Sequence, residues 1–361
     1  MEQLFSYQQL ISFSQNIFQK IGCTETDAIT AAKALIAADI RGIDSHGIAR
    51  LSGYVRLWEA KRVNALPQLK IIHETPSTAV VDADSGLGLV AAPFAMKVAI
   101  EKAAAVGTGW VSVKNSNHFG IAGYHAMLAL PHDMIGIAMT NASALVTPTF
   151  SIEKMLGTNP IAVAIPAGME PAFVADFATT TAANGKLELL QRKNLDTPTG
   201  WVQNKDGKES TNANELKIGG ALLPLGSDRE HSSHKGYALG SIVDIFCGIL
   251  SGANYGPWVP PFPAYIPMPE FMPGEGIGHF FGAMRIDAFR TADDFKGHMD
   301  KWIQRFRAAK TVEGQERVII PGDPEREMEA ERLQHGIPVV ESVVNDLKKL
   351  ATTFGIDSVF I

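Results

Sequence analysis

Apolar residues in the opening segment recur at helical spacing. Leu10, Phe13 and Ile17 follow Ser6, a residue type suited to capping a helix, and Gly22 stands where a helix would stop. Thr24 opens a second predicted helix, with Asp27 three residues on as a capping-box analogue, running through "AITAAKALIAADI" to Gly42. From about residue 75 the period changes. Short runs rich in Val, Ile and Ala ("STAVVDA", "GWVSV", "MIGIAMT", "IAVAIPA", "AFVADFA") predict strands separated by helix-like segments or turns. After Arg285 helical patterns return in "ADDFKGHMDKWIQRFRAA", "EREMEAERLQ" and "ESVVNDLKKLATTFG". The expected fold is therefore α/β (α+β). Both chain ends, 1–75 and 286–361, form a helical domain beside a central mixed-sheet domain, 76–285. No internal repeat is present.

One segment fits neither period. "GPWVPPFPAYIPMPEFMPGEGIGHFFG", residues 256–282, carries closely spaced prolines that oppose both a long helix and a central strand, so a long ordered loop is expected across all of it. Its aromatic residues favour a lid, a binding loop or a subunit contact over a solvated linker, with plain surface coverage as the alternative.

Composition narrows the possible partners. The 361 residues are 46% hydrophobic and 19% charged, as in a compact protein with a large core. The net charge is −6 and no Lys/Arg-rich run occurs, which argues against nucleic acid and anionic membranes and for small molecules. Two distant cysteines, Cys23 and Cys247, suggest neither a disulfide framework nor a Cys-based zinc site. The start "MEQLFSYQQL" lacks a basic region, and Asp244 interrupts the most apolar stretch, so a cytoplasmic protein is expected.

Gly86, Gly88 and Ala91 satisfy G-x-G-x-x-A between a predicted strand and a predicted helix. A dinucleotide fingerprint also wants a carboxylate about 20 residues on, at the end of the next strand. Here "GWVSV" leads instead to Lys114 and Asn115. These glycines are read as turn and helix-packing residues, and the fold as non-Rossmann.

The stronger signal lies where strands end. "GWVSV" runs into "KNSNHFGIAG", "MIGIAMT" into "NAS", and "AFVADFA" into "TTTAANGK", so several strands discharge small polar groups at one end. Among these His118, surrounded by turn residues, suits proton transfer to or from a carbonyl oxygen; the plainer reading is a satisfied structural histidine. "RGIDSHGIARL" offers a second group. Asp44 or Ser45 is expected to cap a third helix, while Arg50 is placed to point the same way as His46 and grip a carboxylate, with an exposed salt bridge as the plainer alternative. No metal site is expected: H-E-x-x-H and clustered Cys/His are absent, and His231 with His234 lacks a third ligand of evident spacing.

Taken in order, "RGIDSHGIARL", "VKNSNHFGIAGY", "MLGTNPIAVAIPA", "DFATTTAANGK", "HKGYALG", "GHFFGAM" and "PGDPEREMEAERLQHGIPV" resemble the type-2 malate/L-lactate dehydrogenase family over nearly the whole chain. The resemblance implies an NAD- or NADP-dependent, non-Rossmann oxidoreductase acting on a small 2-hydroxy or 2-keto acid. Malate or L-lactate is the expected substrate; imine, sulfolactate and ureidoglycolate chemistry are the alternatives within the family. It implies a homodimer whose site lies between the cofactor and helical domains, with the partner subunit contributing. Carried over by motif, His118 or His46 moves the proton, His118 being favoured, while Ser45, His46 and Arg50 bind the substrate. Ala142, Ser143, Asp176, Thr179, Lys235, Gly322 and Asp323 correspond to cofactor contacts, and Asn159 and Pro160 shape that wall. The chain departs from the family pattern in "TPTFSIEKM" and in "PLGSDREHSSHKGY", where Arg229, His231 or His234 would bear on a 2'-phosphate. A non-catalytic nucleotide-binding protein or a metal-free hydrolase is the competing class.

Overall fold

The computed structural model of the protein describes residues 2–356. Strand β1 (Glu2–Phe5) precedes helix α1 (Tyr7–Lys20), which begins with a full capping box: Ser6 Oγ accepts from Gln9 N (3.2 Å) and Gln9 Oε1 from Ser6 N (2.8 Å). Helix α2 (Glu25–Ile40) is capped by Thr24, whose hydroxyl accepts from Asp27 N at 3.0 Å. Two 3₁₀ turns, Asp44–His46 and Ile48–Arg50, lead into α3 (Leu51–Glu59). The expected cap at Asp44 or Ser45 is absent. The helix starts several residues later with no side-chain cap, and Asp44 is engaged elsewhere by Arg332.

The next elements are β2 (Lys70–Glu74), β3 (Thr78–Asp82), α4 (Gly88–Val106), β4 (Thr108–Ser116), the short α5 (Ala122–Met127), β5 (Met134–Thr140), β6 (Ile161–Ile165), β7 (Phe173–Phe177) and α6 (Asn184–Lys193). Short β8 (Val202–Gln203), β9 (Glu209–Ser210) and β10 (Ala221–Leu222) form a small sheet of their own. They are followed by α7 (Ser233–Asp244), β11 (Ile277–Arg285), α8 (Ala292–Arg307), α9 (Asp323–His335), β12 (Ile337–Val340) and α10 (Glu341–Phe354).

Seven strands make the main sheet in the order β2-β3-β4-β11-β5-β6-β7. Only β3 and β4 pair in parallel, joined by the crossover helix α4; every other pairing is antiparallel, so the sheet is not a doubly wound Rossmann sheet. Strand β11 corrects the expected loop. It begins after the last proline of that segment, Pro273, and occupies the middle of the sheet between β4 and β5, so the irregular stretch is confined to the residues before Ile277.

Two large cores flank the site. One joins α1, α2, α3 and α10 through Leu10, Phe18, Leu35, Tyr54 and Leu347, with β1 pairing β12 beside it. The other lies between the alanine-rich faces of α4 and α5 and the sheet residues Val81, Val111, Ala138 and Phe281. The expected boundaries at 75 and 286 do not follow this packing. Strand β2 joins the sheet from the first segment, and α8 packs at the β7 edge, where Trp302 meets Phe173 edge-on at 5.9 Å and the Asp300 carboxylate accepts from the N–H groups of Gly168, Met169 and Glu170.

Candidate active site

Burial of three helices against one another brings the two histidine motifs together. His118 leaves the end of β4 in a loop seated directly on the start of α4. A Cβ on Gly88 would lie 2.1 Å from the Asn117 carbonyl oxygen and 2.6 Å from that of His118. The second glycine of the apparent fingerprint is thus a close-packing glycine that supports the histidine loop. Asn117 completes the support by donating to the carbonyls of Ser85 (2.9 Å) and Gly86 (3.1 Å).

His46 stacks on His118 with ring centroids 5.7 Å apart, and its Nδ1 lies 2.9 Å from Ser45 Oγ. Arg50 is held by its Nε, which donates to the Ser45 carbonyl at 2.6 Å; its two Nη groups take no side-chain partner among the described residues. The guanidinium stands 5.9 Å from the centre of the Phe262 ring. Ser45, His46, Arg50 and His118 are therefore brought together in one cluster.

Two further residues of this pocket escaped the sequence reading. Tyr54, fully buried on α3, places its hydroxyl 2.6 Å from His118 Nδ1. The Gly120 N–H also reaches that nitrogen, at 3.3 Å. Phe262 comes from the proline-rich loop and packs 4.7 Å from the His118 ring and 5.1 Å from that of Tyr54, filling the space left by Gly53. The arginine-to-tyrosine spacing on one helix face was a usable signal for Tyr54. Nothing local marks Phe262 among its prolines.

The electrostatics favour an anion. Burial, and then the charge of Arg50, lower the His46 pKa to about 4. Burial, followed by the neighbouring His46, Arg50 and His279, holds His118 well below its ordinary value. Two neutral imidazoles beside one guanidinium leave a net positive pocket suited to a carboxylate. His279, fully buried on β11 between Thr140 Oγ1 (2.7 Å) and Ser116 Oγ (2.8 Å), is pushed down to about 3, by burial first and then by His125. It braces the strand ends beneath the site.

A single stretch, residues 174–185, links the remaining motifs. Val174 N donates to the Pro321 carbonyl (3.1 Å), beside Gly322. Asp176 Oδ2 accepts from Gly123 N at 2.7 Å. Crowding by the surrounding chain raises the Asp176 pKa to about 6, although solvent reaches the residue. Thr179 Oγ1 donates to the carbonyls of Thr158 (3.1 Å) and Asn159 (3.2 Å). At its far end, a Cβ on Gly185 would lie 2.8 Å from Ser45 Cβ, so this wall runs from the start of α9 to the substrate motif.

Along that wall the expected cofactor residues divide by role. Asp176 uses Oδ2 for Gly123 N and takes no hydrogen-bond partner at its other oxygen among the described residues, and Lys235 is exposed near the start of α7. Asn159 is fully buried, accepting from Ala142 N (3.1 Å) and donating to the Gly240 carbonyl (2.9 Å), so it ties the wall together and its side chain is not free to contact a ligand. Pro160, next to it, leads into β6, and Ser143, next to Ala142, is half-buried. Asp323 is likewise occupied, by Ile320 N (2.9 Å) and by the guanidiniums of Arg307 and Arg326; these outweigh the effect of burial and keep its pKa low. Gly322 precedes it with φ 97°, the left-handed conformation that favours glycine. His231 pairs with Asp228 and His234 with Arg229 at the exposed surface.

The family model described as malate/L-lactate dehydrogenase matches residues 5–348. A malate dehydrogenase from Pyrococcus abyssi is 41% identical over 349 residues, covering 96% of this chain and 94% of the relative. An L-sulfolactate dehydrogenase from Methanocaldococcus jannaschii is 35% identical over 344 residues, covering 95% and 94%. Among solved structures, a malate dehydrogenase from Entamoeba histolytica superposes with a TM-score of 0.92 at 33% identity, covering 99% of this chain and 100% of that one.

Proposed function

Matched along nearly its whole length, the chain belongs to the malate/L-lactate dehydrogenase family, whose members are oxidoreductases of small hydroxy acids working with a nicotinamide cofactor, and from that premise we propose that it interconverts oxaloacetate and malate with NAD. The observation that carries the proposal is the cluster itself: two stacked imidazoles, a tyrosine hydroxyl on one of them, and beside them a guanidinium anchored by Nε whose Nη groups take no side-chain partner among the described residues. The malate dehydrogenase named among the relatives supports the choice of acid.

In this reading the Nη groups of Arg50 grip the carboxylate next to the carbonyl in bidentate fashion, and the Ser45 carbonyl keeps the guanidinium from swinging away. His46, fixed by Ser45, contacts the same substrate. Bound reduced nicotinamide supplies the hydride that the carbonyl carbon receives. His118 gives its Nε2 proton to the carbonyl oxygen as negative charge develops there, and takes it back in the oxidative direction. Tyr54 follows either state of the ring, donating to Nδ1 when that nitrogen is bare and accepting from it when it is protonated. Phe262 and Tyr54 exclude water from one side of the His118 ring.

The wall of residues 174–185 fits a dinucleotide by its donor set. Asp176 holds an accessible carboxylate oxygen suited to ribose hydroxyls, and Lys235 is suited to phosphate. Glu325 lies within electrostatic range of Asp176, and this pair of carboxylates supports NAD over the 2'-phosphorylated cofactor. A second copy of the chain is the proposed partner. Ile242, Ile245, Phe246, Ile249 and Leu250 leave an exposed apolar ridge along α7 and its π-helical continuation, the kind of patch monomers rarely show.

The test is loss of reduced-nicotinamide absorbance with a panel of oxaloacetate, pyruvate, sulfopyruvate and a cyclic imine, each with NADH and NADPH. Fastest turnover with oxaloacetate and NADH is expected. Turnover confined to another acid or cofactor would reassign the substrate, and none with any pair would reject a dehydrogenase. Sedimentation of the purified protein as a monomer would refute the dimer.

A further inference from the structure

Beneath the substrate motif lies an arginine far along the chain. Arg332, on the last turn of α9 and only 7% exposed, meets the Asp44 carboxylate with both terminal nitrogens, Nη2 to Oδ2 at 3.1 Å, and Nη1 also donates to the Asp39 carbonyl at the end of α2. The Asp39 carboxyl, 2% exposed, accepts from Ile48 N at 2.6 Å. The motif is thus pinned on both sides: Arg332 holds Asp44 and Asp39 holds Ile48. Between these pins lie the Ser45 carbonyl that orients Arg50 and the Ser45 hydroxyl that orients His46.

Folding alone does not account for this arrangement. Asp44 is largely exposed, and an ion pair with one wet partner adds little stability. Arg332 is buried with its Nε lacking any hydrogen-bond partner, which costs stability. Neither of its contacts reaches the pocket, so its influence passes through the backbone from Asp44 to Ser45.

We propose that Arg332 is a positioning residue: through Asp44 it sets the orientation of Arg50 and His46 and thereby the affinity for the 2-keto acid. This rests on the reading of the pocket given above. The same seam between α2 and α9 carries a second ion pair, Arg41 with Glu329 (3.0 Å), which touches no part of residues 44–50 and serves as an internal control.

The experiment uses the full chain, with oxaloacetate and NADH as probes, and compares wild type with Arg332→Ala, Arg332→Lys, Asp44→Asn, the Arg332→Ala/Asp44→Asn double variant and Glu329→Gln. A displacement on the scale of an ångström in the clamp should raise the KM for oxaloacetate about tenfold or more in Arg332→Ala, with a smaller change in kcat. The dissociation constant for NADH, from fluorescence titration, should be unchanged. Asp44→Asn should reproduce the effect, the double variant should be no worse than the worse single one, Arg332→Lys should recover part of the loss, and Glu329→Gln should keep the wild-type KM. Should Arg332→Ala not fold, Arg332→Lys and Asp44→Asn carry the same comparison. Wild-type KM in the Arg332 and Asp44 variants, an equal KM rise in Glu329→Gln, or multiplicative losses in the double variant each overturn the positioning role while leaving the dehydrogenase reading intact. A wild-type protein inactive with every acid of the panel overturns both.

Discussion

Removing the Tyr54 hydroxyl isolates the proton-transfer half of the site. Tyr54→Phe keeps the ring that packs edge-on against Phe18 (6.3 Å) and Phe262 (5.1 Å) and deletes only the oxygen 2.6 Å from His118 Nδ1. To act as an acid, His118 must carry a proton on both nitrogens, and the Tyr54 oxygen is the acceptor in place for Nδ1–H; Gly120 presents only an N–H there. A hydrogen bond to a charged group contributes about 1.5–3 kcal/mol, which at about 1.4 kcal/mol per decade becomes a loss of roughly 10- to 150-fold in kcat for reduction. Losing that acceptor also disfavours the imidazolium, so the His118 pKa, already held low by burial, His46 and Arg50, should fall further. The KM for oxaloacetate should change less, because Arg50 and its Ser45 anchor are untouched. Steady-state NADH oxidation across a pH series measures all three quantities. A kcat within about twofold of wild type, with an unshifted pH profile, would refute the role of Tyr54 as the acceptor that stabilises protonated His118.

Three other outcomes are expected. Because protonated His118 is needed for reduction and its pKa lies below 6.5, kcat/KM for reduction should rise as pH falls through and below that value, while malate oxidation should level off above it; a reduction profile that falls toward acid would contradict the assignment. A carboxylate beside Arg50 offsets the charge that lowers both imidazoles, so binding of oxalate below neutrality should take up protons, seen as a buffer-dependent heat in calorimetry; buffer-independent heats would argue against binding there. Gly47→Ala would place a Cβ 2.1 Å from the buried Asp39 carboxyl, so about 1–3 kcal/mol of stability and much of the affinity for the acid should be lost; an unchanged melting temperature and KM would show that residues 44–50 are not pinned as described.

Much of the helical frame is legible because its rules are local. The period of Leu10, Phe13 and Ile17, and the caps at Ser6 and at Thr24 with Asp27, lie within one or two helical turns, and the structure keeps all of them. Strands β3 to β7 are legible as short runs rich in Val, Ile and Ala, whereas β1, β2, β11 and β12 lie outside those runs. The substrate motif misled at one point: Asp44 looks like a cap because Asp commonly is one, but its carboxylate was claimed by Arg332, 288 residues away. The proline-rich loop ends sooner than the expectation for a related reason: the prolines that rule out a central strand stop at Pro273, before β11.

"DSHGIAR" and "NSNHFG" stand out in the sequence as clusters of polar, chemistry-bearing residues, and the roles proposed for them come from the family resemblance. Their meeting is a tertiary event. Tyr54 reaches His118 across 64 residues, Phe262 enters from the proline-rich loop, and Arg332 arrives from α9. Such partners share no period with the residues they serve; they are chosen by how the helices and the sheet bury their apolar faces. Burial also lowers the pKa of both histidines below that of an imidazole in water, because it penalises the charged form, and burial is decided only by the tertiary structure.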